Sequence, residues 1–259
     1  MRTALLSAIM LGPAALSAQA SDPIPLPVGS PLVDGRIYKA HEATAMRSLT
    51  RNGAVVRSIR YTNYTYMTRW KGMDVCVVES KPNSETSDTA FYEKTVLDAR
   101  TMAIVHREER DGSGRLVNAD IDGAHVTGQY RAKASDPTQP LDFTLEAPSY
   151  YSPFVDAAIG ATHMQAGQSW RVPTFVFTPG RQTTVWQTYR ITGREPAGGA
   201  GGASPAWVVE NSNDEPIHAK IWITDDPPYL PRVVTTLPDG SIALFESTLI
   251  RLTARTSIR

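Results

Sequence analysis

The sequence has 259 residues and one cysteine, Cys76. A lone thiol forms no internal disulfide, so the fold must stand on its apolar core rather than on covalent staples. Its neighbours Val75, Val77 and Val78 mark Cys76 as a buried structural thiol rather than a nucleophile. An excess of either charge is also missing, with 26 Lys and Arg against 26 Asp and Glu. Such a balance argues against a nucleic-acid partner and against an electrostatic grip on anionic lipid. No segment reaches the roughly 20 unbroken apolar residues that a membrane-spanning helix requires.

Catalytic and metal motifs are equally sparse. There is no Gly-x-Ser-x-Gly elbow, and Gly112-Ser113-Gly114 reads as a turn. His41-Glu42 begins like a zinc-protease helix, but Ala45 stands where the second histidine belongs. His106 and Glu108 share one face of a strand, whereas a zinc site needs three or four ligands. Asp225-Asp226 precedes Pro227-Pro228 and reads as a turn rather than a carboxylate pair. No catalytic residue, metal or other cofactor is expected.

What is present begins with an export signal. Arg2 is followed by a short apolar stretch from Ala4 to Leu16, interrupted at Gly12-Pro13, and then by Ala18-Gln19-Ala20. This pattern predicts a signal peptide over residues 1–20, cleaved after Ala20, and a periplasmic location. With no cysteine at the cleavage point, lipid attachment is not expected, nor is stable membrane insertion after cleavage. Removing residues 1–20 takes one positive charge, Arg2, which leaves 25 against 26 and a net charge of −1.

The next stretch, Ser21 to Pro31, carries four prolines in eleven residues and no apolar period. It predicts an extended leader over 21–34, read as a disordered tail. From Gly35 onward the dominant period is two, with turn signals at short intervals, so residues 35–259 read as one β-rich domain. Asp111-Gly112-Ser113-Gly114, Ile121-Asp122-Gly123 and Pro238-Asp239-Gly240 mark hairpins. Lys81 to Thr89 reads as a polar loop, and Pro196 to Pro205 as a hairpin tip. Val55, Ile59 and Tyr61 share one parity while Tyr64, Tyr66 and Trp70 share the other, which predicts a bulge near Thr62-Asn63. Pro173 predicts an edge strand or a kink. One segment has helical spacing: Tyr151, Phe154, Val155, Ala158 and Ile159 form a stripe with Asp156 off it. Ser152 and Pro153 suit a helix start, so a helix is expected near 152–163. The fold class is therefore mostly β, a strongly curved antiparallel sheet, barrel or half-barrel, of about ten or more strands with one internal helix. A split into two meanders near 147–150 also fits.

Two segments resemble a known family. Gly167-x-x-Trp170-x-x-Pro173, within Met164 to Pro173, and the run from Trp222 through Pro231-Arg232 are similar to the DUF3108 family of exported bacterial proteins. Val96 to Met102 and Val126 to Tyr130 match more loosely. The resemblance implies an extracytoplasmic, barrel-like protein akin to lipoprotein carriers, in which a curved sheet wraps a helix. It carries over no catalytic residue.

The leading expectation is a non-enzymatic periplasmic protein that binds or carries a hydrophobic small molecule or lipid. Trp186 and Trp222 lie on the parity opposite the aliphatic residues of their strands. With Phe154 and Ile159 of the helix stripe and Tyr64 and Tyr66, they are the expected ligand contacts. One alternative is an interaction module for another envelope protein. The other is a hydrolase assembled from distant residues, for which Asp98, Arg100, His106 and Glu108 would have to meet in one cleft. The sequon Asn63-Tyr64-Thr65 lies within an expected strand.

Overall fold

The computed structural model describes residues 22–82, 91–177, 183–199, 202–212 and 218–253. The expected signal segment, residues 1–20, and nearly all of the expected 81–89 loop lie outside them. After the short β1 (Ile24–Pro25) comes a meander of eight strands: β2 (His41–Arg51), β3 (Ala54–Trp70), β4 (Met73–Pro82), β5 (Tyr92–Asp98), β6 (Ile104–Arg110), β7 (Leu116–Asp122), β8 (His125–Arg131) and β9 (Gln139–Thr144). The chain then crosses through β10 (Tyr150–Tyr151), a 3-10 turn at Ser152–Phe154 and the helix α1 (Val155–Gly160). A second meander follows: β11 (Ser169–Phe175), β12 (Val185–Pro196), β13 (Pro205–Ser212), β14 (His218–Ile223), β15 (Arg232–Thr236) and β16 (Ile242–Leu252).

All 16 strands belong to one sheet. The last strand lies antiparallel to the first long one, with Phe245 opposite Arg47 and Ser247 opposite Ala45, and this pairing fuses the two meanders. The path runs from β9 at one end to β11, with its short partners β1 and β10, at the other, and it does not close. Twist curls so long a sheet. Its two ends come to face each other across α1, where one core joins Val117, Val126 and Leu141 from one end to Trp170, Val172 and Phe175 from the other. Arg115 Nη2 spans the open side to donate to the Phe177 carbonyl at 3.4 Å.

The helix is six residues long, shorter than the 152–163 expected, and Ser152 opens the 3-10 turn without a side-chain capping bond. A helix this short is unstable alone. Its stripe stabilises it: Val155, Ala158 and Ile159 are buried in the shared core, each large apolar side chain worth roughly 1.5–3 kcal/mol. Gly160 lets the chain turn tightly beside Tyr38, whose hydroxyl would lie 2.7 Å from a Cβ there.

Two local expectations are corrected. The leader is no free tail: Ile24 and Pro25 pair with Trp170 and Arg171, Leu26 is fully buried, and its amide donates to the Arg171 carbonyl at 2.9 Å. The β3 strand does not change face at Thr62-Asn63; its irregularity lies between Val55 and Arg57, opposite Thr50 and Leu49. Tyr61 faces inward while Tyr64 and Tyr66 face outward, because the outer side of β3 to β5 carries its own apolar cluster of Tyr66, Val75, Val77 and Val96. Pro173 lies at a local edge of the sheet, as expected, with β12 on one side and no strand on the other. It falls in the gap between the β1 patch at Trp170–Arg171 and the β10 patch at Thr174–Phe175, where a missing N–H costs no ladder bond.

Candidate ligand-binding cavity

The concave face of the sheet encloses a cavity of about 890 Å³, within the size range of small-molecule sites. Alternation sets its wall. On β2 the inward residues are His41, Ala43 and Arg47; on β4, Cys76, Val78 and Ser80; on β12, Val185, Gln187 and Tyr189; on β14, Ala219, Ile221 and Ile223. The crossover contributes Tyr151 to Ala157, so α1 forms part of the lining. Both meanders are needed to enclose the space.

One wall is charged. Arg47 (β2), Glu93 (β5), Arg107 and Glu109 (β6), and Arg115 just before β7 form a row of alternating sign. Arg107 Nη2 lies 2.8 Å from Glu93 Oε1 and 3.0 Å from Glu109 Oε2, and Arg115 Nε lies 2.8 Å from Glu109 Oε1. Arg47 reaches Glu93 only at 3.4 Å. Arg107 is 1 % exposed, donates to Thr95 Oγ1, and stacks 5.2 Å from the Tyr151 ring and 5.8 Å from the Phe154 ring. Burial pushes the Glu93 carboxyl up, but the Arg107 and Arg47 guanidiniums outweigh it and hold Glu93 below its ordinary value. The Arg47 and Arg107 guanidiniums are held above theirs, since Glu93 more than offsets their burial.

Leu97, Met102, Ile223 and Leu230 also line the cavity, with Cys76, Tyr38 and Asp156. Asp156 is enclosed by protein yet only half-buried by surface, as a group looking into a cavity must be. Burial pushes its carboxyl up to about 7, and the hydroxyls of Tyr38 and Tyr189 feel its charge. Burial likewise pushes the Cys76 thiol up to about 12, which leaves it unreactive as a thiolate near neutral pH. Burial holds the His41 imidazole below its ordinary value, although Nδ1 sits 2.9 Å from the Lys39 carbonyl.

Of the six expected ligand contacts, the structure places Phe154 on the cavity wall. Ile159 is fully buried in the core behind it. Trp186 and Trp222 lie on the outer face: Trp186 is 42 % exposed under Arg171, and Trp222 packs on Ala206 and Val208 while donating to Glu195 Oε1 at 2.9 Å. The reason is geometric, since the aliphatic parity of β12 and β14 faces the concavity. Tyr64 and Tyr66 are also outside the main cavity and border a smaller recess of about 300 Å³ with His41, Glu42 and Arg251. The sequon residue Asn63 faces the main cavity and accepts from Ser80 Oγ at 2.7 Å.

The residues that would have suited a hydrolase do not meet. Asp98 Oδ1 accepts from the Arg100 and Thr101 amides within its own turn. His106 faces outward, 3.0 Å from Asp120 and 4.9 Å from the Trp70 ring, and Glu108 pairs with the exposed Arg110. Sequence reading missed the charged row and Asp156. Alternation on β5 and β6 held a signal for the row: Glu93 and Thr95, and Arg107 and Glu109, lie on one parity.

The family model described as "Protein of unknown function (DUF3108)" matches residues 45–246. The chain belongs to this family. The match spans nearly all of both meanders, so the DUF3108 region includes every charged residue of the row. No curated protein matches the chain. Among solved structures it is similar to a beta-barrel-like protein of domain of unknown function DUF1849 from Brucella abortus, at 10 % identity and a TM-score of 0.46, over 83 % of this chain and 97 % of that one. It is also similar to a DUF1329 family protein from Desulfovibrio piger, at 9 % identity and a TM-score of 0.33, over 86 % and 90 %.

Proposed function

We propose that this chain is an exported, periplasmic protein that binds and carries a hydrophobic ligand inside its curled sheet, without catalysing a reaction on it. The cavity is the observation that carries this reading. It is large, it has apolar stretches from both meanders, and α1 and the crossover cover it. A partly open space of about 890 Å³ falls within the size range of small-molecule sites. The predicted signal over residues 1–20 supports the location, and the DUF3108 resemblance agrees with it.

Native mass spectrometry of protein purified from its own cell envelope tests the reading. The expected result is a bound, extractable lipid-like species at near-stoichiometric occupancy. Protein that retains no such species and takes up none on incubation with lipid extract would refute it.

A further inference from the structure

We propose that the cavity takes a single-chain amphiphile whose anionic head group sits on Arg47 and whose chain lies along the apolar wall towards α1. This rests on the carrier reading and names the ligand class.

The charge count motivates it. The row Arg47–Glu93–Arg107–Glu109–Arg115 has three guanidiniums and two carboxylates, an excess of one positive charge within the row. The other members of the row are closely paired, although Arg107 Nε and Arg115 Nε have no hydrogen-bond partner among the described residues. Arg107 holds both carboxylates at 2.8 and 3.0 Å and Thr95 as well, and Arg115 holds Glu109 at 2.8 Å.

Arg47 differs. Its Nη atoms reach Glu93 only at 3.4 and 3.5 Å. Its guanidinium lies 5.1 Å from the Tyr61 ring and 5.6 Å from the Phe91 ring, two rings that meet edge-on. Its side chain keeps 45 % of its surface open while it lines the cavity. A guanidinium fork suits a carboxylate or phosphate bidentately.

The energetics separate head groups. A neutral chain filling the cavity strips water from Arg47 and gives it only the long contacts to Glu93. A buried charge so treated is costly. An anionic head replaces that water and brings the row to neutrality. Asp156 is not among the groups that act on Arg47, which are Glu93, Tyr61 and Arg107, and burial holds His41 towards its neutral form.

Equilibrium dialysis at pH 8 with radiolabelled oleate and oleyl alcohol, which share a chain and differ in head charge, provides the test. In the wild-type protein oleate should bind at least about tenfold more tightly, on the order of 1.4 kcal/mol. Arg47→Gln should bring the two within about twofold, and Arg47→Lys should restore part of the difference. Equal binding of both ligands by the wild-type protein overturns this inference and leaves the carrier reading standing; so does a preference that Arg47→Gln leaves unchanged. Binding of neither overturns both. The wild-type comparison needs no variant, so a poorly folding Arg47→Gln does not block the outcome.

Discussion

Asp156 shows what enclosure does to a single side chain. Burial raises its carboxyl from an ordinary 3.8 to about 7, so the folded protein binds this proton more tightly than the unfolded chain. The stability linked to it is whole below about pH 4, falls as the pH climbs towards 7, and is level beyond. The ceiling is about 4 kcal/mol at 1.36 kcal/mol per unit, less whatever cavity water returns. Asp156→Asn should therefore match the wild-type protein near pH 4 and exceed it in stability above pH 7, as read by urea unfolding across that range. The sequence hid this residue for a simple reason. Helical spacing puts Asp156 off the apolar stripe, and that face meets solvent unless a sheet wraps the helix. The tryptophans were misplaced by the same ambiguity: their parity was legible, but parity does not say which face of a sheet is concave.

Individual elements were easier to read where the turn chemistry is local. The Asp111 turn formed as expected, its Oδ1 accepting from the amides of Ser113 and Arg115. The helix start was found because Pro153 and the stripe act within a few residues. The leader was misread because its partners lie about 145 residues away on β11, and no local pattern in a proline-rich stretch points to them. Leu26 inserts fully into the core from this segment. Leu26→Ala should cost about 2–5 kcal/mol, measured by chemical denaturation, where a free tail would show no change. The charged row on β5 and β6 was missed for a related reason, since Arg47 joins it from β2, 46 residues from Glu93.

At the scale of the whole molecule, the two meanders share a sheet, a core and a cavity wall. Neither has an apolar centre of its own beyond small outer clusters. Far-ultraviolet circular dichroism and tryptophan fluorescence should accordingly report one coincident unfolding transition in urea, as for a two-state domain. Two separated transitions would mean that the meanders are independent units.

The pairing of β16 with β2 also imposes a schedule on biogenesis. Within each meander, neighbouring strands are close in sequence and can join as they emerge. β2 waits: its second neighbour is residues 242–252, near the far end of the chain. Until those arrive, one long edge of His41–Arg51 stays bare, a template for strands from other molecules. In a chain delivered amino terminus first, that edge is covered only once residues 242–252 have followed.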